Sequence, residues 1–559
     1  MGMSYASLTV ITCACLAMPS LALAQDDNLS EGRETPGSDS GLPGAASRPV
    51  DIRPYIEAAQ VLNTELSPGD DVVTYTRLAA GVDALLRGRN TSAAVSLRYE
   101  RRIDWGDNSG NDGDTLSGLA RVSASVIPRT LSIEAGAMAS RQTYGDNGAA
   151  TAGGLVDSDW TRQIYSVFAG PSFTTNAGHA QVEAGYRIGY TRVDEPSGVT
   201  AANNATLVDS FDDSVTQQAT ARISTRPGKI LPVGLGLTGQ WAQEDISNLD
   251  QRVRNNYLRA DVTVPIIPEL AVIGGVGYED VKVSSRDVLR DENDNPVVNS
   301  KGRYVTDKSE PRQISYDADG LIWDIGVQWR PSSRMSLEAH YGHRYDSSTY
   351  YGSLSYTPDR RSHINLSVYD TISGFGGELS DGINSLSTDF VAYRNPISGD
   401  LSGCVTGEES GGNCLIGALG PIRSLTYRTR GAIFSYSLNL GRTTTGLGFG
   451  GESRKYITPE GPIFADYAGL VDRTYWVSIF ASRQLDTRSN LRGDIYANWL
   501  DSGLPMTSDG VGWSASLAYY RNLMNGLTGT AALGLDGFTR EDAADYLVGS
   551  ALLGLRYSF

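Results

Sequence analysis

From Ile52 to the last residue the apolar positions recur with a period of two, the spacing at which alternate side chains of an extended strand share one face. In 335–345, Met335, Leu337, Ala339 and Tyr341 alternate with Ser336, Glu338, His340, Gly342 and Arg344. The same alternation sets Val95, Leu97 and Tyr99 against Ser96, Arg98 and Glu100, and Leu491, Ile495 and Trp499 against Arg492, Asp494 and Asn498. These runs are longer than the roughly five or six residues of an ordinary globular strand. They match the about 9–11 residues that a tilted strand needs to cross a bilayer. A charged side chain on the lipid face at mid-membrane costs about 2–4 kcal/mol, so charges in regular phase mark the inner wall. The lumen-lining candidates are Arg98, Glu100, Arg187, Arg259, Glu338, Arg344, Arg492, Asp494 and Arg556.

The connections separate a membrane barrel from a soluble sandwich, which shows similar alternation. Short turns such as 87–90, 127–130, 226–232, 358–361 and 486–489 alternate with long polar stretches at 104–114, 143–159, 194–212, 285–317, 371–427, 458–470 and 501–509. Short periplasmic turns and long outer loops are the pattern of an outer-membrane barrel. The punctuation predicts an all-β, antiparallel up-and-down transmembrane barrel of about 22 strands, range roughly 18 to 22, with both ends on the periplasmic side. Tyr55, Tyr75, Tyr99, Tyr165, Tyr186, Tyr190, Tyr278, Tyr341 and Tyr557 are expected in the aromatic girdles at the bilayer surfaces.

The amino terminus fits this address. An apolar run from Leu8 to Met18 is followed by Ala22-Leu23-Ala24 before Gln25, the small-x-small pattern of a secretory signal. The expected organisation is a signal peptide at 1–24, a disordered periplasmic leader at 25–51 and a barrel at 52–559. A formal charge of -17 argues against phosphate-backbone binding, so nucleic acid is not expected as a partner.

Little in the chain points to catalysis. The four His are scattered, and His340 and His343 fall on opposite faces of one strand. No Gly-x-Ser-x-Gly elbow, phosphate-binding Gly loop or His-Glu-x-x-His occurs. No enzyme activity, cofactor or metal site is therefore expected. Acidic clusters in the long loops, among them Asp104, Asp107, Asp112 and Asp114, read as solvated tips, with divalent-cation binding the alternative. Cys404 and Cys414 are the only cysteines beyond the signal. In an oxidising compartment a disulfide is their expected state, with free thiols or a stray metal as alternatives. They lie in the 371–427 loop, expected outside the cell or folded into the lumen.

At the carboxyl end Leu547, Gly549, Ala551, Leu553, Leu555, Tyr557 and Phe559 share one face. The stretch Gly554-Leu555-Arg556-Tyr557-Ser558-Phe559 resembles the terminal recognition signal of outer-membrane barrels, with Gly554, Tyr557 and Phe559 at its defining positions. That resemblance implies recognition by the barrel-assembly machinery. Leu552 stands where the signal has a polar residue.

With this terminus, the Arg53-Pro54-Tyr55-Ile56 opening strand and the Arg330-Pro331-Ser332-Ser333-Arg334 turn, the chain resembles the β-barrel porin 2 type of proteobacterial outer-membrane proteins that accompany exopolysaccharide export. The resemblance covers most of 50–559 in diffuse style. It implies a component of surface polysaccharide secretion or assembly in the outer membrane of a Gram-negative bacterium. Implied partners are membrane lipid and lipopolysaccharide and periplasmic polysaccharide-export proteins. Two further readings stay open on the residues alone: a diffusion porin, and an envelope anchor without transport.

Overall fold

The computed structural model describes residues 50–105, 113–144, 150–151, 161–194, 211–299, 303–407, 412–414, 422–458, 467–503, 509–540 and 543–559. The expected signal and nearly all of the leader lie outside the described residues.

In chain order the strands begin with β1 (Val50–Ser67), β2 (Val72–Arg87), β3 (Thr91–Asp104), β4 (Gly113–Ile127), β5 (Leu131–Tyr144) and the two-residue β6 (Ala150–Thr151). Next come β7 (Thr161–Ala177), β8 (Ala180–Asp194), β9 (Asp213–Thr225), β10 (Gly234–Ile246), β11 (Gln251–Ile267) and β12 (Leu270–Ser285). These are followed by β13 (Gln313–Ser332), β14 (Met335–Arg344), β15 (Ser347–Asp359) and β16 (Ser362–Ser373). An inserted segment then holds α1 (Phe375–Asn384), β17 (Phe390–Arg394), β18 (Leu401–Gly407) and β19 (Gly412–Cys414). The wall resumes with β20 (Thr426–Asn439), β21 (Thr443–Ile457), β22 (Val471–Gln484) and β23 (Ser489–Asp501). It ends with β24 (Gly510–Met524), β25 (Leu527–Arg540) and β26 (Ala543–Ser558).

Each long strand pairs antiparallel with its neighbours in sequence, and β26 pairs back onto β1 with Ser558 opposite Tyr55. Apart from β6, which pairs antiparallel beside the end of β5, this closes a meander of 22 strands. The ten short turns stand on one rim with both ends of the ring. The opposite rim carries the long loops and also, among the described residues, three tight connections, at 68–71, 247–250 and 345–346. Two of these three turn without glycine through left-handed backbone, at Leu249 and Asp250 and at Tyr345 and Asp346.

Burial runs opposite to that of a soluble protein. Leu321 is 78% exposed and Leu553 70% exposed, whereas Arg121 is 1% exposed and Glu100 3%. Only a hydrocarbon exterior makes that arrangement favourable, because each backbone group is satisfied within the ring and the apolar side chains need no cover of their own. The chain is an integral outer-membrane β-barrel. Tyr99, Tyr190, Tyr278, Tyr341 and Tyr557 are exposed on the outside, whereas Tyr55 and Tyr75 are 2% and 3% exposed and belong to the inner wall. The girdle assignment fails at these two because their strand phase is that of Arg77 and Ala59, both inward.

Candidate transport lumen

The inner wall is lined by paired charges. On one arc Arg98 donates to both carboxylate oxygens of Glu57 at 3.0 Å and to Glu100 at 3.2 Å. Arg77 donates to Glu57 at 2.9 Å and Arg102 to Glu100 at 3.1 Å. On another arc a ladder crosses several strands. Arg222 holds Asp261 at 3.1 Å, Arg259 holds Asp261 at 2.9 Å and grips Asp324 at 2.6 and 2.8 Å. His340 then bridges Asp324 at 2.8 Å and Glu338 at 3.1 Å, its ring stacked on Tyr351 with centroids 4.6 Å apart. Pairing of this kind is what allows so many charges to be withdrawn from water. The ladder is not sealed, since the side chains of Glu338 and Arg222 remain 40% and 35% exposed.

The other sequence-derived candidates occupy the same inward phase. Arg187 donates to Gln218 at 2.5 Å and pairs with Asp381 of α1. Arg344 holds Glu279 at 2.9 Å and Asn255 at 2.7 Å. Arg492 lies 4.7 Å from the ring centre of Tyr393 in β17, and Asp494 accepts from Ser516 at 2.7 Å. Arg556 donates to Asp83 at 2.9 Å and covers the Tyr55 ring at 3.5 Å. Tyr557 and Phe559 sit outside, ring against ring at 5.1 Å, while Gly554 pairs with Ala59 of β1.

The segment between β16 and β20 lies against these inner residues on several sides. In α1, Phe375, Leu379 and Ile383 recur every four residues, which puts them on one helix face. All three are fully buried against Leu119, Met138, Ile164, Phe168 and Ile246 of the wall. Gly136 makes room for them: a Cβ there would stand 2.9 Å from Ile383 and 2.4 Å from Phe168. The wall also caps the helix at both ends. Glu244 accepts from the backbone N–H of Gly374 at 2.8 Å and of Gly377 at 2.9 Å, one through each carboxyl oxygen, which caps the helix N-terminus. Arg121, itself held by Glu134 at 2.6 Å, donates to the carbonyls of Asn384 at 3.0 Å and Leu386 at 3.2 Å, placing a cation at the other end.

Beyond the helix, Arg394 in β17 donates to Ser117 at 2.6 Å and Ser96 at 3.2 Å, while its neighbour Tyr393 packs on Phe480 at 4.4 Å. Those contacts lie on β3 and β4 in one case and on β22 in the other, so β17 reaches across the arc that contains the seam. Ile397 fills a socket of Ala59, Val61, Ala518, Ala532 and Leu552, and Arg77 donates to its carbonyl. Arg141 fastens Asp400 at 2.8 Å and Ser398 at 3.1 Å. In β18 and β19 the register sets Cys404 opposite Cys414.

Sequence reasoning did not single out Arg77, Arg121, Arg141, Glu244 or Arg394. The available signal was the four-residue apolar spacing from Phe375 to Ile383, which marks a helix within an otherwise polar loop and therefore calls for a partner face. Among the described residues no three His, Cys, Asp or Glu side chains converge to hold a metal ion.

No family model and no curated protein matches the sequence. Solved structures with a similar course include the FrpB iron transporter from Neisseria meningitidis in its apoprotein form, at 10% identity and a TM-score of 0.42, over 90% of this chain and 81% of that one. The ferric-catecholate import receptor Fiu from E. coli K12, open form, matches at 11% identity and a TM-score of 0.41, over 94% and 82%. The alcaligin outer-membrane receptor FauA from Bordetella pertussis matches at 12% identity and a TM-score of 0.38, over 90% and 76%. Likenesses at this level carry no indication of cargo.

Proposed function

We propose that the barrel is a conduit across the outer membrane whose bore is set by the segment 374–425, and that its cargo is a surface polysaccharide in the course of secretion or assembly. The observation that supports a conduit is the docked segment itself. A ring of this size is too wide for wall side chains to fill, and here a folded insert, capped by Glu244 and Arg121, occupies part of the bore beside a water-reachable lane of paired charges. The cargo assignment rests on the resemblance carried by Arg53 to Ile56, the turn 330–334 and the strand 554–559.

The lane from Arg222 to Glu338 also favours a second reading, diffusion of small polar solutes. Deletion of the gene separates the two. Lower exported polysaccharide with unchanged cytoplasmic synthesis is the expected result. Unchanged polysaccharide together with lost uptake of a small solute assigns the lane to diffusion, and no change in either leaves an envelope anchor.

A further inference from the structure

Charge is distributed very unevenly between the two rims. The long-loop rim is acidic, but seven of the ten short connections carry a Lys or Arg, and the acidic residues in or next to them are Glu269, Asp359 and Asp486. Arg89, Arg129, Lys229, Arg360, Arg442 and Arg488 stand around the whole perimeter and all are exposed. Among the described residues none of these six side chains has a hydrogen bond or ion pair, in contrast to the lumen arginines, each of which is engaged. Exposed apolar residues accompany them: Ile127 (51%) near Arg129, Ile230 (62%) beside Lys229, Leu440 (55%) near Arg442 and Leu485 (45%) near Arg488. Further basic residues follow on the lipid side. Arg483 pairs in register with Leu491 and Arg521 with Ser489, so two outward-phase cations flank β23 at this rim.

We propose that the short-turn rim is a collar that binds the phosphates of anionic phospholipids in the inner leaflet, with phosphatidylglycerol as the headgroup class. A long basic side chain lays its stem along apolar surface while its charge reaches for phosphate, and basic clusters at a membrane surface attract anionic headgroups. The pairing of four of the six cations with an exposed apolar neighbour decides between this partner and a soluble polyanion arriving at the mouth. Acyl chains cover Ile127, Ile230, Leu440 and Leu485, and a polyanion does not. Distribution around the entire perimeter fits a ligand that surrounds the barrel. The proposal rests on the membrane placement and is independent of the cargo.

The test uses the full mature protein in bilayers of phosphatidylcholine containing spin-labelled phosphatidylglycerol or spin-labelled phosphatidylcholine. Wild type should prefer the anionic label by about fivefold for each engaged cation at low ionic strength, and the preference should fall toward unity in molar salt. The variant Arg360→Gln/Arg442→Gln/Arg488→Gln should lose much of it while keeping heat-modifiable mobility, which shows that the ring is closed. Equal affinity of wild type for both labels, or a preference that the variant retains, overturns the collar. Absence of lipid preference combined with polygalacturonate binding that the variant abolishes overturns it in favour of a polyanion receptor. Conductance and polysaccharide export are read separately, so loss of the conduit reading leaves this result standing.

Discussion

Replacing Glu244 with alanine should loosen the inserted segment and leave the ring intact. Two backbone N–H groups at the start of α1 depend on this carboxylate, at 2.8 and 2.9 Å. A hydrogen bond contributes about 0.5–1.5 kcal/mol net, two are lost here, and loss of a helix cap costs about 0.5–2 kcal/mol in simpler settings. Lumen water takes over part of the role, which leaves a net effect of about 2 kcal/mol, or roughly a 30-fold shift of the docked–undocked ratio. Glu244→Gln keeps one of the two acceptor oxygens and should fall between. Leu379→Ala opens a cavity under the helix and should cost about 2–5 kcal/mol, a larger shift. Planar-bilayer recording reads the outcome as added or longer high-conductance dwells in the order Leu379→Ala, Glu244→Ala, Glu244→Gln, wild type. If Glu244→Ala and Leu379→Ala both insert as heat-modifiable barrels and their traces superimpose on wild type, the segment does not set the bore and the reasoning fails.

Removal of Phe559 should lower the amount of inserted barrel, because the truncation takes away the terminal aromatic packed on Tyr557 and the N–H that bonds the carbonyl of Pro54; normal surface abundance of heat-modifiable protein contradicts this. Cys404 and Cys414 should be joined in protein taken from the envelope, since their register spacing lies within reach of a disulfide; alkylation of both thiols before any reductant is added shows otherwise.

The wall was legible in the sequence because two physical codes coincide there. The bilayer favours apolar side chains at outward positions across its hydrocarbon core, and tight turns draw on Pro, Gly and polar residues, as in Ile127-Pro128-Arg129-Thr130 and Arg360-Arg361-Ser362. Where only one code operates, the reading was less sharp. The tight connections at 247–250 and 345–346 are marked by no loop of their own, and Tyr345 and Asp346 turn through left-handed backbone that a glycine would have announced. The inward face was read as polar, yet Leu119, Met138, Ile164, Phe168 and Ile246 are inward and buried. Their side chains answer to a segment more than a hundred residues away, and a period-two pattern contains no information about what lies across a lumen. Tyr55 and Tyr75 show the same limit: an aromatic ring suits an interface, but phase decides which side of the wall it faces.

The pairing of β26 with β1 constrains how a barrel of this kind changes over time. The closing pair is antiparallel, so the first and last strands must run in opposite directions, and that holds only for an even number of strands in a simple meander. Gain or loss of a single strand leaves a parallel mismatch at the seam, or two open edges whose N–H and C=O groups find no water in hydrocarbon. Lineages related to this chain should therefore differ from it by whole hairpins. Variation in length that respects the seam has its outlet in the loops of the acidic rim, which can lengthen residue by residue without any strand being recounted.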